Sequence, residues 1–238
     1  MKSSVVCLAV LVLLSFGCKD KDKVIEVVPE RPEDIFSIAL CPTLNSSVMK
    51  LFTESHNNQE KYPELFSTTV QEQIVVSKET DVYVSFVIEG ASVPSTLGFY
   101  TYTGTAPGSS DDIEKKIALP HVSNGILAPG DSRFIGRYPA GTVIGFFMIY
   151  GGFNNNTVNY SKPTYYTNYA WNNGSKRQHV LFREGSCNNI VMAFEDKDLS
   201  GGDADADFND IVFLISDNDQ NQPVTSFEQT GLVELGGE

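Results

Sequence analysis

The segment that most constrains this chain is Glu195-Asp196-Lys197-Asp198-Leu199-Ser200-Gly201-Gly202-Asp203-Ala204-Asp205-Ala206-Asp207-Phe208-Asn209-Asp210, which holds seven acidic side chains and one base. At neutral pH these carboxylates repel one another, so a folded protein either leaves such a run in water or wraps it around a cation. The flanks narrow the choice. Asn189-Ile190-Val191-Met192-Ala193-Phe194 precedes the run, and Ile211-Val212-Phe213-Leu214-Ile215 follows it. Short continuous apolar runs read as strands buried on both faces. An acidic loop pinned at both ends into a core is badly placed to dangle, which favours the cation.

The donors are all oxygens, which suits a hard cation and calcium (Ca2+) above all. Gly201 and Gly202 allow a tight bend that turns carbonyls inward. Glu195, Asp196, Asp203, Asp207, Asn209 and Asp210 are the expected ligands. Asp198 and Asp205 stand in reserve, because the acids outnumber what one ion needs. Counted from Asp196, an EF-hand pattern is met by Asp198, Ser200 and Gly201, but its twelfth position is Asp207 where the pattern wants Glu. The flanks are also strands, so the EF-hand is rejected. A calcium-binding nonapeptide array fails too, since Gly-Gly occurs once in this stretch. A solvated acidic turn is the competing reading.

From Gln73 onward the apolar period is two: Val82, Val84, Phe86 and Ile88 alternate with Tyr83, Ser85 and Val87. Further strands are expected at 97–102, 133–135, 142–150, 178–182, 189–194 and 211–216, with 142–150 as the central one. Many short strands divided by turn residues predict an all-β protein, an antiparallel, jelly-roll-like β-sandwich over residues 67–216. Ahead of it, residues 34–66 read as an N-terminal extension with at most one short helix. There Val48, Leu51, Phe52 and Ser55 follow a cap at Asn45-Ser46-Ser47. Residues 217–238, rich in Gln, Gly and acids, read as a loose C-terminal tail.

Residues 1–17 read as a signal peptide, with Lys2 ahead of an apolar run, Val5 to Leu14, that is too short to span a membrane. Leu14-Ser15-Phe16-Gly17-Cys18 resembles a relaxed bacterial lipobox, with Ser15 where Leu is usual. The resemblance implies cleavage before Cys18, lipidation of that residue, and a lipid-anchored linker over residues 18–33 that Pro29 and Pro32 stiffen. A secretory peptide cut nearby is the alternative. Lys19-Asp20-Lys21-Asp22 resembles the Lys-acidic export signal of surface lipoproteins of Bacteroidetes, which implies a surface-exposed, outer-membrane location. Cys41 and Cys187 then remain in an oxidising compartment, as one disulfide or as two buried thiols. The formal charge of −13 argues against nucleic acid as a partner, and leaves the lipid anchor as the expected contact with a membrane.

Phe194-Glu195-Asp196, Gly201-Gly202-Asp203 and Asp207-Phe208-Asn209-Asp210-Ile211-Val212-Phe213 together resemble the C-terminal signature of domain-of-unknown-function family 4114. Upstream, Glu89-Gly90-Ala91 and Leu97-Gly98-Phe99-Tyr100 resemble that family's opening strand and turn. Ile144 to Ile149 resembles its central strand, and His179-Val180-Leu181 a later one. The resemblance spans about residues 66 to 216. It implies a domain of bacterial surface proteins and large calcium-dependent adhesins, some of which look like carbohydrate-binding modules. This chain carries an extra Asp-Ala pair beside the shorter Gly-Asp-x-Asp-Phe-Asn-Asp form.

Catalysis is not expected. His56, His121 and His179 are the only histidines, His179 lies within a strand pattern, and no nucleophile-elbow serine occurs. Carboxylates committed to a cation stay ionised and make poor general acids. A binding surface fits better. Between 150 and 174 runs a polar-aromatic loop in which Tyr169, Trp171 and Asn172 are the expected ligand-binding residues, since aromatic faces stack on sugars and amides satisfy hydroxyls. The bland alternative has these tyrosines covering the sandwich edge. Two functions stand: a surface module for adhesion to a glycan or surface protein, and a structural envelope component in which calcium only stabilises the fold.

Overall fold

A computed structural model describes residues 27–236. The signal peptide, Cys18 and the Lys-acidic segment lie outside the described residues. The extension contributes β1 (Phe36–Ser37), α1 (Leu44–Leu51) and α2 (Asn58–Lys61). Then come β2 (Ile74–Val75), β3 (Thr80–Glu89), β4 (Ser95–Thr103), β5 (Lys116–Val122), β6 (Asp131–Tyr138) and β7 (Thr142–Ile149). A small hairpin, β8 (Phe153–Asn154) and β9 (Thr157–Val158), leads to β10 (Thr164–Tyr166). The strands end with β11 (His179–Glu184), β12 (Asn189–Phe194), β13 (Ile211–Ser216) and β14 (Val233–Leu235).

Two sheets form the sandwich. One runs β1-β6-β3-β13-β12-β11-β14, and the other runs β10-β7-β4-β5 with β2 also paired to β7. Pairing is antiparallel except between β11 and β14. The period-two pattern explains the layering. Ile211, Phe213 and Ile215 of β13 share a core with Leu97, Phe99, Ile144, Phe146 and Met148 of the facing sheet. Val212 and Leu214 point the other way, into a second core with Leu44, Val48, Leu51 and Phe52. The apolar runs on each side of the acidic loop are therefore buried on both faces, one face by a sheet and the other by the helical extension.

The helix α1 buries Leu44, Val48 and Leu51, one stripe at i, i+4 and i+7. It starts at Leu44, earlier than the Asn45-Ser46-Ser47 cap suggests, because Leu44 is needed in the stripe. The one-turn α2 adds a second helix to the one expected, with the Asn57 side chain accepting from Gln59 and Glu60 N–H groups. A Cys41–Cys187 disulfide ties the extension to the β11–β12 turn.

Three further sequence expectations change. Residues 27–33 of the expected linker pack on the sandwich: Val27 bridges to Thr157, the Val28 N–H donates to Asn156 O, and Arg31 pairs with Asp131. Residues 217–236 are not loose: Val224 and Phe227 are buried in the sandwich core, β14 extends the larger sheet, and Asp217 accepts from the Thr225 and Ser226 N–H groups. Their scattered apolar residues have no readable period, which hid the packing. The strand β5 also went unread, because Pro120 interrupts it. As an edge strand it tolerates proline.

Candidate metal centre

The acidic loop is the β12–β13 connection. Phe194 and Ile211 are register partners, and Ile211 also pairs with Glu89 at the end of β3. Glu195 and Asp210 thus leave neighbouring strands at the same end of the sheet. Carboxylate oxygens of Glu195, Asp196 and Asp210 lie within 4.8 Å of one another. The Asp196 N–H donates to Asp210 Oδ2 at 2.8 Å, and the Lys197 N–H donates to Glu195 Oε1 at 3.3 Å. Glu195 is only 1 % exposed, and its Oε2 is buried with no hydrogen-bond partner. An orphaned buried acceptor costs about 1–3 kcal/mol, and more when the group is charged.

The electrostatics agree with the geometry. Burial, with further contributions from neighbouring carboxylates, pushes Asp196 up to about 6. It also raises Glu195 and Asp210 well above the ordinary carboxylate range, where Asp210 feels Glu195 and Asp196 directly. Glu89 adds to the repulsion on Asp196. A cation relieves all of these penalties at once.

A second acidic group forms where Asp205 and Asp207 meet Glu54 of the α1–α2 connection. Here uncharged protein donors occupy the Asp207 and Glu54 oxygens, although burial, with smaller contributions from the Asp205 and Glu54 carboxylates, still raises Asp207. Asp207 Oδ2 accepts from Ser55 N–H and Asn209 Nδ2, its Oδ1 accepts from Asn209 N–H, and Glu54 Oε2 accepts from Asn209 Nδ2. The loop is braced by the extension throughout this part. Asn58 donates from its backbone to Ala206 O and from its side chain to Asp207 O, and Phe208 packs in a tilted ring contact on Phe66. These contacts hold Ala206 and Phe208 at positive φ, which costs a non-glycine residue about 1–2 kcal/mol each.

Of the six expected ligands, Glu195, Asp196 and Asp210 come together. Asp207 belongs to the second group, with the reserve residue Asp205. Asp203 is exposed and sits in neither group, because the glycine bend carries it outward. Asn209 is a brace: its Nδ2 also donates to Phe52 O, and Gly90 packs so closely that a Cβ there would lie 2.6 Å from Asn209 Oδ1. Asp198 accepts from Asn173 Nδ2 and the Ser200 N–H, and these bonds hold its carboxyl below the usual range. Glu54 and Glu89 join these groups from outside the acidic run. Glu89 was legible as the strand-end acid beside a glycine, whereas Glu54 had no local signal.

Residues 138–218 match the family model of a domain of unknown function, DUF4114. The resemblance read from the acidic signature is thereby borne out over the segment from the end of β6 to just past β13. The DUF4114 match includes the whole β12–β13 loop, while Glu89-Gly90-Ala91 and Leu97 to Tyr100 lie upstream of it. No curated protein and no solved structure matches the chain.

Within the DUF4114 segment, the aromatic loop does not present the expected groove. Asn172 is buried, its Oδ1 accepting from the Tyr166 N–H and its Nδ2 donating to Tyr166 O and Lys176 O. Trp171 packs against Tyr100 and Tyr166, and Tyr169 lies under the Arg177 guanidinium. An isolated sequence cannot show that these groups are already spent on their own loop. Arg177 in turn pairs with Glu72. His179 is buried, with Nε2 on Glu72 O, and burial lowers it to about 3, so it stays neutral.

Proposed function

We propose that the protein is a calcium-binding, lipid-anchored surface module, held at the bacterial outer membrane through Cys18 and serving adhesion to a glycan or a surface protein rather than catalysis. The observation that carries the calcium reading is the buried, unpartnered Glu195 Oε2 at the meeting point of three carboxylates. Three carboxylates offer six oxygens, and calcium accepts the mixed, irregular sets that carboxylates, carbonyls and water supply. Magnesium demands a stricter octahedron and gives up water reluctantly.

A second reading, in which calcium only stabilises the fold, is favoured by burial. Glu195 and Asp196 are 1 % and 6 % exposed, which leaves little room for an external ligand to reach the ion. On this reading the ion locks the loop, and binding takes place elsewhere. Calorimetric titration tests the shared part of both. The wild type should bind one equivalent of calcium at this centre with a dissociation constant in the range of about 0.1–1 mM typical of extracellular modules. Asp210→Asn should weaken binding at least about tenfold, the loss of one charged ligand. Equal affinities for the two proteins would reject the centre.

A further inference from the structure

A well-formed cavity lies away from the acidic loop. It is a groove of about 710 Å³ between α1, α2 and β14. That volume falls in the range of about 300–1,000 Å³ occupied by small-molecule sites. Its lining is unlike the rest of this acidic protein. Lys50 and Lys61 face it, and neither has a carboxylate within ion-pair distance among the described residues. Glu234 is the lining carboxylate, and it is already paired with Arg183. Beneath the groove, Glu184 is fully buried and is satisfied by the Ser47 hydroxyl and the Ser186 and Cys187 N–H groups. Glu234 is thus held by Arg183 and Glu184 by its own uncharged donors, so neither acid pairs with the two ammonium groups.

The ammonium of Lys61 is fixed in place. It donates to Leu51 O at 3.0 Å, a free carbonyl at the C-terminal end of α1, and lies 4.8 Å from the centre of the Tyr62 ring. The remaining lining is hydroxylated and apolar in turn, with Thr43, Ser46 and Ser186 beside Leu51 and Leu235. Two cations, several hydroxyls and an apolar floor call for a ligand with one anionic group, several hydroxyls and an apolar ring face. An acidic saccharide has all three.

We propose that this groove binds an acidic saccharide unit of the uronate type. The carboxylate sits between Lys50 and Lys61, the ring lies against Leu51 and Leu235, and its hydroxyls exchange hydrogen bonds with Ser46 and Ser186. The inference does not depend on the calcium centre, which shares no residue with the groove.

The test is calorimetric titration of the protein with digalacturonate, the neutral disaccharide cellobiose, and sulfate, each with and without chelator. Digalacturonate should bind, cellobiose should not, and chelator should leave the affinity unchanged. The charge reversal Lys50→Glu should weaken binding at least about tenfold, in line with the loss of one charge-assisted hydrogen bond. Lys50 is exposed, so its variant should melt with the wild type, and a matched melting curve certifies the comparison. No heat with digalacturonate, equal affinity in Lys50→Glu, or equally tight binding of sulfate would each overturn the proposal.

Discussion

Replacing both Cys41 and Cys187 with serine should destabilise the protein by about 5 kcal/mol, the chain-entropy value for a bridge closing a loop of this length. The disulfide spans 146 positions and encloses the sandwich from the extension to the β11–β12 turn. For a domain of this size the loss corresponds to about 10–20 °C in melting temperature. The consequence should reach the acidic loop as well. Cys41 lies just ahead of α1, and the extension supplies Phe52 O, Glu54, Ser55 and Asn58 as braces of residues 206–209. Freed from the bridge, those braces should fray first. A thermal melt of the double variant beside the oxidised wild type measures it, and a shift below about 2 °C would show that the bridge constrains nothing.

Calcium and pH should act on stability with opposite signs. Without the ion, Glu195, Asp196 and Asp210 are raised above their unfolded values, so the folded state binds more protons than the unfolded state. Stability then falls as pH rises from about 4, continues to fall through about 6 where Asp196 titrates, and falls further as Glu195 and Asp210 lose their protons. Calcium needs those carboxylates ionised, so its stabilising effect should grow over the same window. At a free concentration about one hundred times the dissociation constant, the ion adds about 2.7 kcal/mol, or about 5–10 °C. Melting curves at pH 5 and pH 8, in chelator and in calcium, should therefore cross. In chelator the protein melts higher at pH 5, and in calcium the gain is larger at pH 8. A chelated protein that is more stable at pH 8 would contradict the buried, repelling trio.

The sandwich was legible because strands that face both a core and a cover leave unmistakable apolar runs. The expected 189–194 and 211–216 coincide with β12 and β13. What escaped were elements whose partners lie far away in sequence. The strand β14 has three residues and makes sense only beside β11, and β5 hides a proline that only an edge position excuses. The same limit shaped the site. Glu195, Asp196 and Asp210 converge because β12 and β13 are register partners, so reading two strands around an acidic run was enough. Asp207 and Asn209 belong with Glu54, Ser55 and Phe52, and that association depends on how the extension folds back over the sheet. Asn172 shows the reverse case: an amide typical of a sugar site is consumed by its own loop.

The most direct measurement is a crystal structure of the protein grown in calcium, with the ion located by its anomalous signal. One strong peak is expected among Glu195, Asp196 and Asp210, with carboxylate oxygens at about 2.3–2.6 Å, and with Glu195 Oε2 among them. An empty centre in saturating calcium, with Glu195 Oε2 bonded to water or to a protonated Asp210, would contradict it.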